Sequence, residues 1–242
     1  MRTRNRLLIS LALVAGALAA SAGLTTLSRG SDGPLTAALS RAGSAVASLE
    51  HGLWERASGG GRARRMTWFT DSRRSLTALR RPDSVLLGAY DGGMPTSFDG
   101  VLRLEQSVGV SLPLMQLYGA WGDKADQRFP LTTMKAIWDL GSVPVITWEP
   151  WLTDFDNALH PRLPLREVRE KHGLVGIASG DYDFYIDAWA REAAAFGHPI
   201  FVRFAHEMND PYRYPWGPQN NTKEEYISAW RHVVTRFRHA GA

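Results

Sequence analysis

From residue 84 to the last residue, the chain repeats one pattern four times: a short apolar run, then a segment whose apolar residues recur at helical spacing. The runs are Val85 to Asp91, Pro113 to Tyr118, Val143 to Trp148 and Pro199 to Ala205. After the first, Ser97 caps a helix carrying Val101, Leu104 and Val108 and stopped by Gly109. After the second, Thr132 or Thr133 starts a helix with Ile137 and Leu140, ended by Gly141. A long polar loop follows the third run, and Asp181 then caps a helix with Ile186, Trp189, Ala193 and Phe196 on one face. After the fourth, Thr222-Lys223-Glu224-Glu225 forms a capping box ahead of the stripe Ile227, Trp230, Val234 and Phe237. Strand–helix alternation of this kind implies a parallel sheet with right-handed crossovers, so the expected class is α/β. No glycine-rich phosphate loop follows the first run, which disfavours a nucleotide-binding fold.

The first 83 residues read differently. Three arginines within Met1 to Arg6 precede an uncharged run from Leu7 to Leu24, and Ala20-Ser21-Ala22 fits a small-residue cleavage site. Residues 1–24 are therefore expected to be a secretory signal or, since 18 apolar residues reach the short limit of a membrane span, an anchor. Both place the remainder outside the cytoplasm, secreted or membrane-anchored. Residues 25–83 read as an Arg/Gly/Ser-rich linker with a possible helix from Leu35 to Arg56. The arginines Arg62, Arg64 and Arg65 suit a solvated linker, or attraction to an anionic wall or membrane surface.

Charge separates the same two regions. Residues 1–81 hold 13 basic and 4 acidic side chains, a balance of +9, whereas residues 82–242 hold 15 and 20, a balance of −5. A mildly acidic C-terminal part excludes a nucleic-acid-binding domain there. The chain has no cysteine, which removes disulfides, thiolate catalysis and iron–sulfur clusters. His160, His172 and His198 lack metal-ligand spacing, so no metal is expected.

The apolar runs end on residues capable of chemistry: Tyr90-Asp91, Tyr118 with Trp121, Trp148-Glu149-Pro150-Trp151 and His206-Glu207-Met208-Asn209. The carboxyl ends of parallel strands are where α/β folds keep their sites. A carboxylic acid beside a histidine, with indole and phenol rings that can stack on the apolar faces of pyranose rings, suits glycosidic-bond chemistry. Arg203 shares strand parity with Glu207, which makes it a candidate interior ion-pair partner.

The pieces ITWEPW (Ile146 to Trp151), RFAHEMN (Arg203 to Asn209), YPWG (Tyr214 to Gly217) and YISAWRHVV (Tyr226 to Val234) resemble glycoside hydrolase family 26, best known for β-mannanases. The likeness runs from about Val85 to the end of the chain. It implies a (β/α)8 TIM barrel, of which this chain carries only the first four β/α units, and retaining hydrolysis of a β-linked polysaccharide: β-mannan first, β-glucan or xylan otherwise. Glu207 matches the general acid/base at the end of strand four. His206, Asn209, Trp148, Glu149, Tyr214 and Trp216 are the expected substrate contacts. No cofactor is implied, because two carboxylates and water suffice.

The pattern also departs from that family. Residues 84–242 are 159 positions, against roughly 250 in a whole barrel. The family's nucleophilic glutamate, at the end of strand seven, has no counterpart here, and Glu149 matches strand three instead. A fragment, a half-barrel that pairs with another half, and a non-catalytic, cell-surface polysaccharide-binding half-barrel all fit, with the fragment favoured.

Overall fold

A computed structural model describes residues 61–94 and 97–242, within a unit spanning Val46–Ala242. The apolar run 7–24 and the helix expected from Leu35 to Arg56 lie outside the described residues.

Four strands form one parallel sheet in the order β1-β2-β3-β4: β1 Gly88–Tyr90, β2 Leu114–Ala120, β3 Val143–Glu149 and β4 Phe201–Phe204. Two short helices precede it, α1 Gly61–Arg65 and α2 Leu76–Arg80. Between and after the strands come α3 Asp99–Val108, α4 Leu131–Asp139, α5 Arg166–Ser179, α6 Asp183–Phe196 and α7 Lys223–His239. Strands adjacent in sequence are adjacent in the sheet, an α/β arrangement consistent with part of an α/β barrel.

Register assigns the two faces of the sheet, because partners in parallel strands point the same way. Gly119, Trp148 and Phe204 align, and so do Tyr118, Thr147 and Arg203. The first row belongs to a buried face with Met115, Leu117 and Ile146. Trp148 there meets Trp189 of α6 at 4.9 Å and Phe237 of α7 at 5.6 Å between ring centroids. A Cβ at Gly119 would stand 3.1 Å from Ile146 Cδ1 on the neighbouring strand and in ordinary contact with the Trp189 ring. On the second face Tyr90, Tyr118 and Arg203 are exposed, whereas Thr147 is buried.

The expected apolar stripe of α6 is buried as read, at Ile186, Trp189, Ala193 and Phe196. Each large side chain in that stripe contributes about 1.5–3 kcal/mol by leaving water. In α7 the capping box forms as expected: the Glu225 amide donates to Thr222 Oγ1 at 3.2 Å and the Thr222 amide to Glu225 Oε2 at 2.7 Å. Its buried face is nevertheless turned by one residue, to Tyr226, Ala229, Val233 and Phe237. Ile227 and Trp230, expected in the core, are 44% and 47% exposed. In α3, Val101, Leu102 and Glu105 are buried while Leu104 and Val108 face out.

The polar loop expected after β3 contains a 14-residue helix, α5, with a break at His172 (φ −140°, ψ 38°). Its two glycines and weak apolar periodicity hide it in the sequence. Gly173 allows Leu152 to pack against the helix, since a Cβ there would lie 2.5 Å from Leu152 Cδ1. Arg169 is buried and satisfies three acceptors of the β3 loop: Leu152 O at 2.5 Å, Phe155 O at 2.9 Å and Asn157 Oδ1 at 2.6 Å.

Residues 61–81 pack under the sheet instead of trailing as a solvated linker. Met66, Phe69 and Leu79 join the core. Arg62 is 1% exposed and forms a forked pair with Glu105 of α3, Nε to Oε2 at 3.0 Å and Nη2 to Oε1 at 2.9 Å. The same guanidinium donates to Leu140 O, to Leu112 O at 3.2 Å and to Ser142 Oγ at 2.8 Å. A buried guanidinium needs that full set of acceptors to offset its lost hydration.

Candidate active site

The chain leaves β4 through a strained turn. Ala205 and Glu207 both adopt left-handed backbone, φ 45° and 50°, and they are the only described non-glycine residues with positive φ. For an L residue this costs about 1–2 kcal/mol, and such outliers concentrate where a side chain has to be aimed. The turn is held from both sides: the Ala205 amide donates to Trp148 O at 3.0 Å, and the Asp210 amide to Glu207 O at 2.9 Å. The alternation that would put Arg203 and Glu207 on one face is broken by these two residues. Arg203 makes no side-chain hydrogen bond or ion pair among the described residues. Glu207 instead meets Arg213 of its own loop, Nη1 to Oε2 at 3.5 Å, with both side chains open to water.

Behind Glu207 stands a wall built from the YPWG segment. Tyr214 and Trp216 stack at 4.7 Å and 12°. Trp216 Nε1 donates to His206 O at 2.7 Å, and His206 Nε2 lies 3.1 Å from Tyr214 Oη. Asn221, at the entry to α7, fixes this wall by donating to Pro215 O at 2.8 Å. A Cβ at Gly217 would sit 2.3 Å from Asp210 O, so only glycine lets the two limbs of the loop approach.

His206 joins the wall to β3. Its Nδ1 is buried without a hydrogen-bond partner and lies 3.7 Å from Glu149 Oε1. Glu149 is held on its other oxygen by Trp151 Nε1 at 3.3 Å. Burial pushes the His206 imidazole below its ordinary range; Arg203 adds to that, while Glu149 and Glu207 pull the other way. Its unpartnered nitrogen faces the Glu149 carboxylate.

His206, Glu149 and Tyr214 thus come together at the carboxyl end of β3 and β4, and Glu207 follows His206 with its side chain turned to Arg213 and water. Asn209 lies exposed on the same loop. Two expected substrate contacts do not face a ligand. Trp148 is 0% exposed because strand parity turns it to the helix side, where it packs on Trp121 at 4.4 Å. Trp216 is 3% exposed and carries His206 from behind. No motif marks Arg213, which touches Glu207, and Trp151, the last residue of the ITWEPW piece, holds Glu149 although it is not among the expected substrate contacts.

Other histidines make surface pairs, His160 with Asp123 and His232 with Asp183, each at 2.6 Å. No group of three potential ligands that could hold a metal occurs among the described residues. A groove of about 750 Å³ lies away from Glu207, between β4, α6 and α7. Val202, Phe204, Trp230 and Phe237 line it together with Arg74, Arg80 and Arg238, and no aspartate or glutamate among the described residues does.

No family model matches the chain. Over 160 residues it is 29% identical to endoglucanase H of Acetivibrio thermocellus, a stretch covering 64% of this chain and 15% of that protein. The chain therefore spans well under a fifth of its curated relative. Among solved structures, the YdhT protein from Bacillus subtilis aligns with 72% of this chain and 56% of its own, at 19% identity and a TM-score of 0.42.

Proposed function

We propose that this chain is part of an exported glycoside hydrolase of the family 26 type, built on a (β/α)8 barrel, acting on β-linked polysaccharide, with β-mannan as first candidate and β-glucan or xylan next. The similarity to an endoglucanase supports the coarser reading, a glycosidase for a β-glucan-type polymer. One observation supports the assignment of Glu207: a glutamate held in left-handed backbone at the mouth of β4, directly after a buried histidine.

Glu207 is the acid/base. As acid it gives its proton to the bridging oxygen of the scissile bond; as base it takes one from the water that resolves the intermediate. His206 and Glu149 form one polar wall of the sugar site, and Tyr214 keeps the imidazole in place. Asn209 and Tyr214 Oη offer hydrogen bonds to hydroxyl groups. Retention needs a second carboxylate about 5–5.5 Å from the acid. This reading gives Glu149 a substrate-holding role and takes the nucleophile from outside this chain.

The test is release of reducing ends from soluble mannan, β-glucan and xylan by the longest in-frame polypeptide that contains the chain. Release that disappears in Glu207→Gln while polymer binding persists supports the enzyme. A second reading is a cell-surface polysaccharide-binding protein without turnover, and binding without sugar release establishes it. Fractionation of cells, with the protein found outside the cytoplasm, tests export.

A further inference from the structure

Residues 61–81 lie at the amino end of the sheet, opposite the mouth that carries Glu207. They hold seven arginines and one acid, Asp71. Arg62 is paired with Glu105. Arg65 Nε donates to Ser111 Oγ at 2.9 Å ahead of β2, and Arg73 Nη1 to Trp138 O at 2.6 Å ahead of β3. Arg74 and Arg80 share a groove with His198, ahead of β4. The arginines therefore run beneath β2, β3 and β4. Arg64, Arg74, Arg80 and Arg81 are exposed, and their side chains make no hydrogen bond or ion pair among the described residues. Strands added beside this sheet extend it sideways and leave its amino end uncovered.

The positive charges press on one another. Burial lowers the proton affinity of Arg73, and Arg74 and Arg62 lower it further against the pull of Asp139. His198 is displaced the same way, by burial first and then by Arg73 and Arg74. Such crowding costs stability that an anionic partner relieves. The loops beyond the strands lean to the opposite sign, with Asp91, Asp123, Glu149, Asp154, Glu207 and Asp210 on them. The molecule is thus polarised along its strands, and an anionic surface attracts one end and repels the other.

Apolar side chains stand among these arginines. Trp68 is 52% exposed and lines a hollow with Arg65, Val110 and Ser111. Leu76, 56% exposed, lies between Arg74 and Arg80 in sequence. Guanidinium groups interleaved with exposed indole and leucine match a bilayer surface, where phosphates meet the charges and the apolar bodies enter the boundary between headgroups and acyl chains. A hydrophilic polyanion offers the phosphates without that apolar layer. We propose that residues 61–81 dock the protein on an anionic lipid surface, with the Glu207 mouth turned away from it. The proposal stands apart from the polysaccharide reading and holds whichever polymer the mouth takes.

Cosedimentation of the full chain with vesicles tests it, using phosphatidylcholine alone and an equimolar mixture with phosphatidylglycerol. Each arginine near an anionic surface is worth about fivefold in partitioning. Replacing Arg64, Arg74, Arg80 and Arg81 together by Gln is expected to weaken binding to the mixed vesicles by about tenfold or more. Arg103, Arg162, Arg191 and Arg231, exposed elsewhere, give a control with the same loss of charge when changed to Gln, and its binding should fall far less. The segment 1–24 is common to all variants and drops out of the comparison. Trp68→Ala should weaken binding most at raised salt, where screening leaves the apolar contact. As a readout free of variants, hydrogen exchange of peptides from 61–81 should slow on the mixed vesicles and not on phosphatidylcholine. Equal losses in the two quadruple variants, or no slowing of exchange, overturn the proposal. Binding by Trp68→Ala at the wild-type level in all salts points to a hydrophilic polyanion and overturns the lipid surface.

Discussion

At the amino end of the sheet, Arg62 is enclosed and every direction of its guanidinium meets an acceptor: Glu105, Ser142, Leu112 and Leu140. At the carboxyl end, His206 is equally enclosed but one ring nitrogen has no partner, and the neighbouring Glu207 faces water beside a single exposed arginine. Backbone strain divides the same way. Three of the four turns from helix into strand at the amino end place a glycine in the left-handed region, Gly109, Gly141 and Gly197, at φ 73°, 93° and 70°. The carboxyl end puts Ala205 and Glu207 there instead. A fully satisfied polar cluster with relaxed turns specifies a fold. A partly satisfied one with strained turns keeps groups available for a ligand.

The contrast is broken most severely at the amino end. Glu105→Ala leaves a buried arginine without its counter-charge and is expected to lower stability by about 3–5 kcal/mol, read from urea unfolding. Replacing Arg62 and Glu105 together by Met and Leu should recover most of that loss. Glu207→Ala is expected to move the urea midpoint by less than about 0.5 kcal/mol, the range of ordinary surface substitutions. Equal losses at the two ends would remove the distinction.

A smaller effect isolates the backbone. A Cβ at Gly109 meets nothing within 4 Å, so Gly109→Ala tests left-handed strain alone. We expect a loss of about 1–2 kcal/mol, seen as a lower melting temperature.

The smallest effect is in pH. Burial holds the His206 imidazole below its ordinary range. Above about pH 6.5 the ring is neutral in both the folded and unfolded states and contributes no slope. As pH falls from about 6.5 toward the lower folded value, the unfolded chain binds the proton first, so stability declines across that window. His206→Gln should flatten the decline between pH 7 and 5. His198, stacked on Trp138 at 4.2 Å and displaced in the same direction by burial, leaves part of the slope in place. An unchanged slope in His206→Gln would mean that His206 is not held neutral by the fold.

The four-unit pattern was legible because apolar runs and helix stops alternate at regular spacing, and all four strands form near where the runs lie. His206, Glu149 and Tyr214, which the structure brings into contact, all lie in short motifs at strand ends. Trp148 was misread because VPVITW is almost continuously apolar, so alternation cannot show which face each residue takes; only pairing with Gly119 and Phe204 fixes it. Arg62 was misread because three arginines after a glycine run look solvated, and its acceptors lie 43 to 80 residues away. The turn at Ala205 and Glu207 left no trace, since neither residue type favours positive φ.

Turnover of Glu207→Gln is the most direct measurement: reducing ends released from soluble glucomannan by the longest in-frame polypeptide containing this chain. We expect a fall of about 10²–10⁴-fold relative to wild type, with polymer binding and the urea midpoint unchanged. Undiminished release by Glu207→Gln, or no release by the wild type, would contradict the assignment.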